Sequence, residues 1–157
     1  MKNLKRSSGF TLIELLIVII IVCILGTLVA MTYSGIQAKN RNGQRQDDVN
    51  AMKQELETYY AQFSKYPTLA NLNDQAWREK NLKELQIGEV QDPRWSTKNT
   101  DCPAGAQMSS EPKGNCYAYQ VTSSDGSPCD NVATTCAQYT LTSLLEGGEK
   151  YVKSSLN

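Results

Sequence analysis

The chain has 157 residues, with 16 basic and 16 acidic side chains, five cysteines and no histidine. That length allows one modest domain plus an extra element. Without imidazole, Ser-His and Cys-His nucleophile arrangements are excluded, and no broad basic and aromatic surface announces DNA binding.

A mean hydropathy of −0.44 is low for a chain with a membrane span, so the apolar content has to be concentrated in one place. Phe10 to Met31 is a 22-residue run interrupted only by Thr11, Glu14, Gly26 and Thr27. As a helix rising 1.5 Å per residue it crosses a hydrocarbon core of ~30 Å. A secretory signal peptide has an apolar region of only ~7–15 residues followed by an A-x-A-like site, which does not occur here. The expectation is therefore one retained span. A carboxylate at the centre of such a helix costs ~3 kcal/mol, so Glu14, near its start, calls for a partner. Cys23, within the run, reads as a small apolar residue.

Lys2, Lys5 and Arg6 precede the span and Lys39, Arg41 and Arg45 follow it, so the positive-inside rule leaves orientation undecided. Cysteine usage decides it. Cys102, Cys116, Cys129 and Cys136 all lie in the polar C-terminal part, and an even count there predicts two disulfides in an oxidising compartment. Zinc would want close pairs or histidine, and the gaps are 13, 12 and 6 residues. Of the three connectivities that four cysteines allow, 102–116 with 129–136 is the one expected. The C-terminal part then lies outside and the N-terminus inside.

All five prolines fall after residue 66, so the chain up to that point can form one helix. Past the span the pattern turns amphipathic, with Val49, Met52, Leu56, Tyr59 and Phe63 at three- and four-residue spacing. Gly26, Ala30, Ser34 and Ala38 fall four apart, laying small residues along one face where helices could approach closely. Residues 37–46 form a polar joint, with Gly35 and Gly43 as weak points. There Lys39, Arg41 and Arg45, followed by Asp47 and Asp48, read either as pairs between stacked subunits or as a solvated or headgroup-facing band.

The helix is expected to stop around Ser64, before Pro67. Residues 68–92 read as loop plus a short helix capped by Asn73 or Asp74 and carrying Trp77, Leu82 and Leu85; residues 93–114 read as loop. Strands are predicted over 116–123, 137–145 and 150–155, the last two joined through Gly147-Gly148. Tyr117, Tyr119 and Tyr139 on these strands read as core. The polar loop between the first two strands is clipped by Cys129 and Cys136. Its Asp125, Asp130 and Asn131 fit turn chemistry as well as a weak calcium site, and no EF-hand spacing is present.

A short basic leader ending in Gly9, then Phe10-Thr11-Leu12-Ile13-Glu14 and an unbroken apolar run, resembles the class III signal of type IV pilins and pseudopilins. Tyr59, Tyr60, Tyr66, Pro67 and Thr68 resemble the helix exit of such proteins, and the likeness covers roughly the first 70 residues. The resemblance implies that a membrane prepilin peptidase cuts between Gly9 and Phe10 and that the new amino group of Phe10 is methylated. It also supplies a partner for Glu14: the α-amino group of Phe10 in a neighbouring subunit. Removing the leader takes Lys2, Lys5 and Arg6 with it, leaving 13 basic against 16 acidic side chains, a net −3. Some pseudopilins bind calcium, which is the reason to weigh Asp125, Asp130 and Asn131; no cofactor is expected.

The resulting expectation is an α+β, type IV pilin-like fold: a long N-terminal helix packed on a small antiparallel sheet with two disulfides. Its parts are a leader (1–9), a membrane or filament-core half of the helix (10–36), an amphipathic half (37–66) and a head (67–157). The function implied is a non-enzymatic pilus subunit serving motility, adhesion or DNA uptake, with a secretion pseudopilin as the alternative and a non-polymerising anchored binding module as a third. Implied partners are further copies in a helical filament, the prepilin peptidase, an assembly ATPase, a platform membrane protein and the membrane, with DNA or a host surface as further candidates. Gly26, Ala30, Ser34 and Ala38 would join Phe10 and Glu14 in assembly. The chain is expected in the cytoplasmic membrane before assembly and in a surface filament afterwards.

Overall fold

The computed structural model describes residues 10–96 and 101–156, with the side chains of residues 30 and 31 outside that description. The chain divides into two compact units, Met1–Ala38 and Lys39–Asn157. A 52-residue helix, α1 (Leu12–Phe63), contributes to both. It has no proline to interrupt its ladder.

In the first unit the described apolar side chains from Leu12 to Ile36 are exposed on every side. A helix apolar all round suits lipid or a protein core, not water, and α1 is long and apolar enough to cross a membrane. Two of its threonine hydroxyls bond within the helix: Thr27 donates to Ile24 O at 2.8 Å and Thr32 to Leu28 O at 3.0 Å. Such internal bonding is what a polar group needs where water is absent.

In the second unit α1 is one wall of the head. Val49, Met52, Leu56 and Tyr59 are buried on one face, as the 3.6-residue period requires. Phe63, expected on the same face, is 49 % exposed and lies against the Tyr59 ring at 4.5 Å. The helix ends where Ser64 turns left-handed (φ 54°), donating its N–H to Tyr60 O at 2.7 Å.

Two short helices follow instead of the one expected. Thr68 caps α2 (Leu69–Asn73) in a reciprocal box with Asn71, and Asp74 caps α3 (Gln75–Asn81) by accepting from Trp77 N at 3.1 Å. A single 3-10 turn spans Ile87–Val90.

The sheet has four strands in the order β1 (Met108–Ser109), β2 (Tyr117–Thr122), β3 (Gln138–Leu144) and β4 (Lys150–Ser154). The last three pair antiparallel, with Tyr119 opposite Leu141 and Leu141 opposite Lys153. The expectation of a wholly antiparallel sheet is corrected at β1, which lies in a segment read as loop and pairs parallel to β2. The reason is tertiary. The Asn73 side chain accepts from Gln107 N (3.0 Å) and Met108 N (2.9 Å) and donates to Met108 O (3.2 Å). Together with the Cys102–Cys116 disulfide this holds a two-residue strand where local propensity would not.

Tyrosines build the core between α1 and the sheet, as read from the strands. Tyr117, Tyr119 and Tyr139 are buried, and each hydroxyl has an acceptor: Asp48 Oδ2 at 2.6 Å, Pro67 O at 2.7 Å and Glu57 Oε1 at 2.9 Å respectively. Glu57 also accepts from Tyr66 at 2.9 Å. Ser143 Oγ is the exception among the described residues, buried with no hydrogen-bond partner.

The charges of the joint turn inward. Arg45 is 1 % exposed and grips Asp92 bidentately, Nε to Oδ2 at 2.7 Å and Nη2 to Oδ1 at 3.0 Å. Arg41 pairs with Glu146 in the β3–β4 turn through Nε–Oε1 and Nη2–Oε2 (2.8 Å), and Asn42 Oδ1 accepts from Glu146 N at 2.7 Å. Arg45, Arg41 and Asp48, read as intersubunit or solvated charges, thus have partners inside their own chain. Arg78 is buried as well, donating to Leu72 O and to Gln107 Oε1.

Replacing Asp92 by alanine leaves the Arg45 charge buried without its carboxylate and is expected to cost about 3–5 kcal/mol in urea unfolding of the detergent-solubilised chain. Ser143→Ala should leave the midpoint unchanged or raise it, because no bond is lost. Burial holds the Asp48 carboxyl up at about 6, against the lowering effect of the Tyr117 hydrogen bond. A folded value above the unfolded one means that stability falls as pH rises through about 6. Asp48→Asn should therefore melt above the parent at pH ~7, with the gap closing toward pH ~4, below the range in which the parent carboxyl ionises.

Candidate assembly site

The first turn of α1 concentrates its polar groups at one point. Phe10 is 83 % exposed. Thr11 precedes the helix and caps it reciprocally with Glu14: Thr11 Oγ1 accepts from Glu14 N at 3.3 Å, while Glu14 Oε2 accepts from Thr11 N at 2.9 Å and from Thr11 Oγ1 at 2.8 Å. This is a capping box. It answers otherwise open N–H groups at a helix end and places a carboxylate at the positive pole of the helix. The carboxylate is thus anchored through Oε2 within its own chain, on the backbone nitrogen and hydroxyl of Thr11. Thr11 has a role that the reading by family likeness left out, although Thr-x-x-Glu before an apolar run was a legible signal.

Gly9, the other half of the expected cleavage site, lies outside the described residues, as does the side chain of Ala30. Of the small-residue stripe, Gly26 and Ser34 are exposed and Ala38 is half-buried. A Cβ on Gly26 would meet nothing within 4 Å, so the subunit alone gives no packing reason for glycine there. Near the stripe, Leu28, Val29, Thr32, Tyr33 and Ile36 line a shallow apolar groove of about 300 Å³. Cys23 is exposed on the same helix.

In the head the cysteines join as Cys102–Cys116 and Cys129–Cys136. The loop clipped by the second bond spends its carboxylates on itself. Asp130 Oδ1 accepts from the backbone N–H of Val132 (2.8 Å), Ala133 (2.8 Å) and Thr134 (3.2 Å), which hold its carboxyl below the usual range. Asp125 Oδ1 accepts from Ser123 Oγ and Ser127 N. Asn131 takes a left-handed φ of 64° and bonds Tyr66 O and Cys136 N. These are the self-satisfied turns that the sequence offered as the alternative to calcium. Among the described residues no group of three potential metal ligands gathers.

The prokaryotic N-terminal methylation motif matches residues 4–30. The chain is similar to the type II secretion system core protein G of Dickeya chrysanthemi, 34 % identical over 64 residues, or 41 % of this chain and 42 % of the relative. It is 36 % identical to that of Aeromonas hydrophila over 64 residues, covering 41 % and 45 %, and 32 % identical to that of Vibrio cholerae over 68 residues, covering 43 % and 47 %. The chain therefore spans less than half the length of these relatives. No solved structure matches it. The methylation motif thus stands at the head of a long apolar helix that farther on packs against a four-stranded mixed sheet, an arrangement consistent with a type IV pilin-like α+β fold.

Proposed function

We propose that this chain is a pseudopilin, a structural and non-catalytic subunit of a short filament in a type II secretion-like apparatus. The observation that carries this reading is its likeness to three core G proteins of such systems. That finding favours the pseudopilin, the alternative reading of the sequence, over the surface pilus. The pilus remains a second reading, because the likeness is confined to less than half of the chain.

In this scheme the chain waits in the cytoplasmic membrane with its N-terminus inside and its head outside. Prepilin peptidase cuts between Gly9 and Phe10, and Phe10 is N-methylated. Cleavage turns an amide nitrogen into a cation at the helix start, where the capping box already holds Glu14. The cationic Phe10 of one subunit then meets the carboxylate of the next. In low dielectric this attraction is strong, although desolvation takes back much of it. Moving the span from lipid to a core of other spans is roughly neutral in hydrophobic transfer. The charge pair and the small-residue face, with Gly26, Ala30, Ser34 and Ala38, therefore supply selectivity. An ATPase acting through a platform membrane protein supplies the work of extraction.

Intact mass and N-terminal sequencing of the chain, taken separately from membranes and from sheared surface material, test the scheme. A methylated Phe10 start confined to membranes supports the pseudopilin. The same start in abundant sheared filaments would make it a pilus subunit, and a chain still beginning at Met1 in both fractions would refute a filament role. Glu14→Ala is expected to reduce cross-linked multimers at least about tenfold, the equivalent of ~1.4 kcal/mol, while leaving cleavage at Phe10 intact. Thr11→Val removes the hydroxyl half of the box, worth about 1 kcal/mol at a helix start. It should give an intermediate loss of multimers, and a loss as complete as that of Glu14→Ala would mean that Thr11 does more than hold the carboxylate.

A further inference from the structure

Three carboxylates of the head line one groove without a cation of their own. Ala51, Gln54, Glu55 and Thr58 of α1 form one wall, and Glu84 and Glu89 the other, around about 340 Å³. Glu55 accepts from Glu84 N at 3.4 Å and Glu89 from Gln86 N at 2.7 Å, so backbone groups alone hold them. Among the described residues no salt bridge reaches any of the three. Their neighbours add to the same sign: Glu89 and Asp47 both act on the buried Asp48 as like charges. Asp92 is answered by Arg45. Lys80 and Lys83 line the next stretch of the groove, toward Phe63, so the cations gather at one end and the carboxylates at the other.

A second flank of the head is the open edge of the sheet, where β4 is the last strand. Ser155 N donates to Tyr139 O, and with Leu141 opposite Lys153 that register turns the main chain of Tyr151 and Lys153 toward β3. The N–H and C=O groups of Lys150, Val152 and Ser154 therefore face outward. Lys150 and Val152 are exposed, and Lys153 lies 5.0 Å from the Tyr151 ring centre. Neither lysine pairs with a carboxylate among the described residues. Of the acids nearby, Glu146 is taken by Arg41, Arg45 and Arg94, and Glu57 by two tyrosine hydroxyls, with Lys53 one turn before it. Glu149 remains, against Lys150 and Lys153.

The two patches lie on opposite sides of α1. Glu57 turns toward the end of β4, where it accepts from Leu156 N at 3.3 Å. Glu55, in the groove, is two residues away and so about 200° round the helix. Patches on opposite flanks cannot meet within one chain or face each other across a two-fold axis. Joined head to tail they repeat from copy to copy, which gives an open helical array.

We propose that the β4 edge of one copy seats in the acidic groove of the next, with Lys150 and Lys153 meeting Glu55, Glu84 and Glu89 and with Val152 shielded from water. The inference rests on the filament reading given above and names a contact between its heads. Exposed ion pairs add little affinity each, so their part is to select partner and register.

The test uses the full-length chain in cells that assemble it, with Cys23→Ala to remove the free thiol. Adding Glu84→Cys and Val152→Cys together should yield a ladder of disulfide-linked multimers under copper-catalysed oxidation by oxygen, while each alone stays monomeric. Dimers from Val152→Cys alone would mean that β4 edges pair with each other, and overturn the contact. No ladder, in cells where formaldehyde still traps multimers of the Cys23→Ala chain, overturns the contact and leaves the filament standing. No multimers of that chain by either route overturns both. Without the added cysteines, Lys150→Glu with Lys153→Glu should lower formaldehyde-trapped multimers about fivefold. Glu84→Lys with Glu89→Lys should do the same, with near-UV circular dichroism unchanged. All four changes together should restore them to within about twofold of the parent, and a loss that persists or deepens overturns the charge pairing.

Discussion

The guanidinium of Arg45 sits 1 % exposed on α1, where an unpaired charge would be far more costly than any single apolar contact could offset. Asp92 meets it with two hydrogen bonds, and Asn42 Oδ1 takes a third at 3.1 Å. Answering that one charge fixes much of the head. Asp92 must come from the segment after the 3-10 turn, so that segment is drawn onto the helix. Glu146, 3.5 Å from Arg45 and paired with Arg41, brings the β3–β4 turn to the same place. Arg41 is the main cause of holding the Glu146 carboxyl down at about 2, with Arg94 and Arg45 adding to it. The β3–β4 clamp therefore persists until strongly acid pH.

Around that centre the head makes up for a small core with covalent and local devices. About 100 residues enclose little apolar volume, and much of what they enclose is tyrosine, with every buried hydroxyl needing an acceptor. Glu57 serves Tyr66 and Tyr139 together, and Asp48 serves Tyr117 at the expense of a carboxyl whose burial works against its charge. The two disulfides close short loops, where their effect on chain entropy is modest. What they add is placement: Cys102–Cys116 sets β1 beside β2, and Cys129–Cys136 anchors the self-bonded turn at Asp130.

The N-terminal unit follows the opposite logic. Its surface is apolar on every side and the hydroxyls of Thr27 and Thr32 bond to the helix backbone, so its charged chemistry is gathered in the first turn. The capping box at Thr11 and Glu14 is intrachain and complete in the single subunit. A neighbour's amino group would join an existing arrangement rather than create one. That lowers the ordering cost of docking, since the carboxylate is already positioned.

The sequence by itself determined what depends on local pattern and composition. The absence of proline before residue 67 and the change from uniform to 3.6-residue apolarity specify α1 and its buried Val49, Met52, Leu56 and Tyr59. Alternating aromatic and β-branched residues specify β2, β3 and β4, and the Gly9–Glu14 signature falls within the match to the prokaryotic N-terminal methylation motif. Tertiary structure alone decided the rest. Nothing local distinguishes Arg45 from the exposed Lys39, because the carboxylate that buries it lies 47 residues away. Two residues at 108–109 carry no strand signal, and they pair because Asn73 and a disulfide hold them in place. A 3.6-residue period or an alternation is written into neighbouring residues and can be read there. A buried ion pair or a stitched strand depends on groups that only folding brings together.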